Sequence, residues 1–105
     1  MGKRATTPEV RAGVLRWQAA TGETHSCGVG ADEWFRWLDA DQNTTFYYSS
    51  SLGDMTARRE KRRRQYVWYA YKRAAGQTFK RYLGPSHLLT ADRLETAADW
   101  FYHNI

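Results

Sequence analysis

Cysteine, proline and long apolar runs are all scarce in this chain. Cys27 is the single cysteine, so no disulfide framework can form within one chain. That fits a reducing compartment, and a cytoplasmic location is the expectation. Only Pro8 and Pro85 are prolines, which leaves the long stretch between them free of the residue that most readily breaks helices and strands. No apolar run approaches the roughly 20 residues that cross a bilayer. The basic start Met1-Gly2-Lys3-Arg4 is not followed by an apolar segment, so neither a signal peptide nor a membrane span is expected. Catalytic signatures are missing too. There is no phosphate-binding loop, no G-x-S-x-G and no H-E-x-x-H. Asp32 and Glu33 stand where a helix begins, which is a sufficient reason for two adjacent acids. His25 and Cys27 are two apart, but no second close ligand pair accompanies them. A non-enzymatic protein with no cofactor and no metal is therefore expected.

What the chain does contain is aromatic area and positive charge. Its 105 residues fit one domain. Aromatics make up 15%, with five Trp among them, enough for a real core. The net charge is +5, and its placement says more than its size. Ten of the 16 Lys and Arg lie in residues 55–84, where Glu60 is the only acid. The rest of the chain is mildly acidic. A cationic block of this kind points to a polyanionic partner.

Local patterns give an order of elements. Residues 1–7 read as a flexible basic arm. Thr7-Pro8-Glu9 has the chemistry of a helix start, and Val10, Val14 and Trp17 follow at helical spacing. Gly13 interrupts that pattern, and a short strand over 14–17 is the alternative. Residues 21–30 read as a Gly-punctuated loop. A helix is expected over 31–40, with Trp34, Trp37 and Leu38 on one face. Strands are expected over 44–50, 55–62, 65–73 and 78–83. Thr90 should cap a last helix, reaching about Tyr102, that buries Leu94, Ala97, Ala98 and Phe101. Leu89 and Leu94 are spaced as a hydrophobic staple around its start. The expected fold is α+β: a three- or four-stranded antiparallel sheet packed on a C-terminal helix, with one or two N-terminal helices. Residues 31–102 would form its DNA-binding module.

Two hairpins fix a register. With Ala75-Gly76 as one tip, Tyr69 opposes Tyr82, Tyr71 opposes Lys80, Lys72 opposes Phe79, and Trp68 opposes Leu83. With Arg63-Arg64 as the other, Arg58 opposes Tyr69 and Thr56 opposes Tyr71. Alternation then sorts Arg58, Arg62, Tyr69, Tyr71, Arg73, Lys80 and Tyr82 onto one face, away from Trp68 and Ala70. Cations interleaved with tyrosines suit nucleic acid. The cations neutralise phosphates, Arg can read guanine in a major groove, and Tyr offers hydrogen bonds or stacking. Arg63 and Arg64 at the tip would hold backbone phosphates. Duplex DNA is the expected partner. RNA or single strands, bound by stacking, and an acidic protein partner are the alternatives.

One stretch also resembles a known family. Thr56-Ala57-Arg58-Arg59-Glu60, Trp68-Tyr69-Ala70-Tyr71, Lys80-Arg81-Tyr82-Leu83-Gly84 and Leu89-Thr90-Ala91-Asp92-Arg93-Leu94 are similar to an N-terminal segment of MalT-like, LuxR-type bacterial transcriptional regulators. Glu33-Trp34-Phe35-Arg36-Trp37-Leu38 is similar to the helix that precedes it. The likeness covers residues 31–98. It implies a shared module only, because the ATPase and helix-turn-helix parts of those regulators are absent and their regulatory activity does not carry over; transcription or mobile-element biology is the expected setting. The order of three strands and a helix also resembles integrase arm-type and plant ethylene-response-type domains, which lay a sheet in the major groove.

Overall fold

The computed structural model describes residues 7–105. The expected arm therefore lies outside the described residues, save for Thr7. Seven strands and two helices follow in chain order. They are β1 (Glu9–Arg11), β2 (Val14–Gln18), β3 (Thr24–Gly28), α1 (Asp32–Asp39), β4 (Thr45–Ser50), β5 (Gly53–Arg62), β6 (Gln65–Ala74), β7 (Gln77–Gly84) and α2 (Ala91–Asn104). A 3-10 turn at Ser86–Leu88 joins β7 to α2.

All seven strands form one sheet in the order β3-β2-β1-β4-β5-β6-β7. Strands β1 to β3 make one antiparallel meander and β4 to β7 make another. The two meet in parallel at β1 and β4, with Val10 beside Tyr48. This overturns the three- or four-stranded antiparallel sheet. It also replaces the N-terminal helix and the loop at 21–30 by strands. The spacing of Val10, Val14 and Trp17 is coincidental, because Ala12 and Gly13 take φ of 53° and 76°. That is hairpin-turn geometry, which reverses the chain. Strand β3 is hard to see in sequence because it is a polar edge strand in which Cys27 alone is buried.

The C-terminal elements lie where their local chemistry puts them. Thr90 caps α2 by accepting from the Arg93 amide at 3.2 Å. Leu89 and Leu94, on either side of that cap, are both fully buried. The Ala75-Gly76 tip forms with φ of 52° and 77°, and the opposed pairs Tyr69–Tyr82, Tyr71–Lys80 and Arg58–Tyr69 are present. One pair differs. Trp68 faces Gly84, because the register shifts between Trp68 and Tyr69. The bulge leaves Leu83 without a partner and fully buried.

Both helices pack on one side of the sheet. Val10, Leu15, Phe46, Met55, Ala57, Trp68 and Ala70 point towards them and form one cluster with Trp34, Leu38, Leu94 and Phe101. Phe46 sits at its centre, 5.5 Å from Trp34 and 5.3 Å from Trp68, centroid to centroid. Burying a Phe ring such as Phe46 contributes about 1.5–3 kcal/mol. Two of the buried indoles find partners across elements, whereas Trp37 Nε1 has none among the described residues. Trp34 donates to the Leu89 carbonyl at 2.8 Å and Trp68 to the Ser86 hydroxyl at 3.0 Å. Arg59, on β5, donates to the carbonyls of Leu38 at 3.1 Å and Ala40 at 3.0 Å. It thereby closes the C-terminal end of α1, where unpaired carbonyls gather. The opposite side of the sheet is covered by no described element.

Candidate nucleic-acid interface

The open side is built by simple alternation. Cross-strand partners share a face, so Lys80, Tyr71, Thr56, Tyr47, Glu9, Arg16 and Ser26 form a row across all seven strands. Tyr82, Tyr69, Arg58 and Thr45 form the next row.

Cations and rings interlock on β5 to β7. The Arg58 guanidinium lies 5.4 Å from the centroid of Tyr71, and that of Arg62 lies 5.1 Å from Tyr69. Lys80 Nζ reaches Tyr69 at 4.2 Å and Tyr71 at 5.5 Å. Arg62 also donates to the Tyr69 hydroxyl at 3.0 Å. Tyr69 meets Tyr82 edge to face at 5.5 Å. Such contacts contribute about 0.5–1 kcal/mol each at exposed sites. They also hold long cationic side chains in defined positions.

Glu60 ties this lattice together. It accepts from the Tyr71 hydroxyl, lies 3.3 Å from Lys80 Nζ, and pairs with Arg62 at 3.5 Å. The Tyr71 hydrogen bond, aided by Lys80 and Arg62, holds its carboxyl below the usual carboxylate range. Partial burial and the bond to Glu60 push Tyr71 up. The Tyr71 hydroxyl and Glu60 together hold Lys80 above its ordinary value.

Of the residues singled out from the sequence, Arg58, Arg62, Tyr69, Tyr71, Lys80 and Tyr82 meet in this lattice. Arg73 is exposed and stands at the other end of β6, beside a groove. Arg63 and Arg64 form the β5–β6 tip with Lys61 and Arg62, around a shallow concavity. Arg63 takes a φ of 55° there, a left-handed conformation that strains a non-glycine residue. The neighbouring basic residue Arg59 serves the fold instead. Sequence reasoning missed Tyr47, because the register was not carried onto the expected strand at 44–50, and Arg11 and Arg16, because a helix was favoured there. Alternation within Thr45–Ser50 was the available signal for Tyr47.

Among the described residues, no group of three or more His, Cys, Asp or Glu could hold a metal ion. No described helix is long and apolar enough to cross a membrane. A scan against known protein families finds no match, and searches of curated proteins and of solved structures find none either.

Proposed function

We propose that this protein is a non-enzymatic DNA-binding module that grips duplex DNA with the β5–β7 part of its open sheet face. The observation that carries the reading is the lattice of Arg58, Arg62 and Lys80 against Tyr69, Tyr71 and Tyr82 on an uncovered face. Dimensions support it. Three strands span about 10 Å between outer axes, against a major groove about 12 Å wide. All seven would span about 29 Å and could not enter. In this reading β5 to β7 occupy the groove, and Arg63 and Arg64 at the tip hold phosphates.

Duplex binding is favoured over stacking of single strands by one feature. Cations already lie against Tyr69 and Tyr71, so neither ring is an open platform for a base.

The test is binding to a mixed duplex pool at several salt concentrations. The wild type should bind with a slope corresponding to about four to six neutralised phosphates. Arg58→Ala should flatten the slope by about one if Arg58 meets a phosphate, or cost about 1–3 kcal/mol and relax the selected sequence if it reads a base. No binding at about 50 mM salt would end the DNA reading and favour an acidic protein partner.

A further inference from the structure

A second feature of the open face has no part in the lattice. A groove of about 300 Å³ lies beyond Tyr71, bordered by Tyr47, Ser49, Asp54, Thr56, Arg73 and Glu9. Small Thr56 is flanked by Tyr47 on β4 and Tyr71 on β6. Tyr47 is half exposed. Among the described residues no ring or cation lies against it, unlike Tyr69, Tyr71 and Tyr82. Its ring is therefore an open stacking surface beside a hole.

The other walls supply hydrogen-bonding chemistry of a definite kind. Asp54 accepts from the Ser49 hydroxyl at 2.9 Å. Glu9 accepts from Arg11 at 2.8 Å. A carboxylate has about four lone-pair sites, so each retains acceptor capacity. Glu9 is ion-paired with Arg11, and Lys72 also lines the groove, donating to the Asp54 carbonyl at 2.6 Å; the remaining carboxylate lone pairs suit the N–H edge of a base. Arg73, at the rim, suits the phosphate that follows.

We infer that this groove is a nucleotide-binding site that takes one unpaired guanine nucleotide, stacked on Tyr47 with its Watson–Crick edge on a carboxylate. Guanine presents adjacent N1–H and N2–H groups that one carboxylate can accept together. Thymine presents there a single N3–H flanked by two carbonyl oxygens, which repel the second carboxylate oxygen, so it is disfavoured. The inference rests on the reading of the open face as a nucleic-acid surface, because the groove adjoins the lattice at Tyr71. The guanine can come from an overhanging strand of a bound duplex or from a free nucleotide.

The experiment uses the whole chain and three probes: a blunt duplex, the same duplex with a one-nucleotide G or T overhang, and the mononucleotides GMP and TMP. The G overhang should bind about tenfold tighter than the T overhang. Tyr47→Ala should abolish that difference, and Tyr47→Phe should preserve it. Asp54→Asn should erase the preference for G. GMP binding above TMP, sensitive to Tyr47→Ala, assigns the groove to free nucleotide as well. GMP silence with overhang discrimination assigns it to the strand end. Equal binding of both overhangs together with equal binding of both mononucleotides overturns the inference. Failure of the blunt duplex to bind, with GMP selectivity intact, overturns the duplex reading alone.

Discussion

Glu60 is the one acid inside the cationic block, and its removal has a consequence that can be worked out. In Glu60→Gln the carboxylate charge disappears, and Lys80 and Arg62 lose the anion they face at 3.3 and 3.5 Å. Both cations are partly solvent-exposed, so these pairs contribute little to stability. Together with the weakened Tyr71 bond, the loss should be about 1 kcal/mol. Binding should move the other way. If both freed cations turn to phosphates, duplex affinity at low salt rises roughly tenfold. Two further phosphate contacts steepen the salt slope by about 1.8, so a rise from about 50 to 200 mM costs the variant roughly tenfold more than the wild type. Fluorescence anisotropy with one labelled duplex over that range measures both effects, and discrimination between sequences should fall as affinity rises. Acid provides an internal check. The Glu60 carboxyl is held low by Tyr71, Lys80 and Arg62, so its stabilising contribution is complete above the ordinary carboxylate range. That contribution is lost only as the pH falls through the depressed folded value. Wild-type affinity should approach that of the variant in that window and nowhere higher. An unchanged salt slope with weaker binding would refute the reasoning and make Glu60 a direct DNA contact, accepting from a base.

Two predictions concern the fold. Ala75 holds a φ of 52° at a two-residue turn, where Asn is better tolerated. Ala75→Asn should stabilise by about 0.5–1 kcal/mol, seen as a rise of a few degrees in thermal melting monitored by circular dichroism. Arg59→Ala should take the side-chain donor from the Leu38 carbonyl, while Ala40 keeps the Asn43 amide at 3.0 Å, destabilising by about 1–3 kcal/mol in a denaturant titration while the duplex salt slope stays constant.

The parts of this fold that were legible in the sequence are those decided between neighbours. The β6–β7 register followed from Ala75-Gly76 and strict alternation, which placed Tyr69, Tyr71, Lys80 and Tyr82 on one face. The cap at Thr90 and the stripe on α2 were equally local. The Trp68 pair was misplaced by one residue, because no local pattern announces a bulge. At the N-terminus Pro8 and Glu9 imitated a helix start, and Gly13 was the better guide. The pairing of β1 with β4 has no local signature at all. It joins segments far apart in sequence, and so the sheet is larger than expected.

That seam also divides the chain in time. Every other strand pair joins sequence neighbours through a hairpin or a short turn, which closes in microseconds. The β1–β4 contact joins residues roughly forty apart, and its larger loop-closure entropy predicts that it forms after both meanders. Substitutions at Val10 should therefore accelerate unfolding and leave the folding rate nearly unchanged, whereas truncating Trp68 or Ala70 on β6 should slow folding itself.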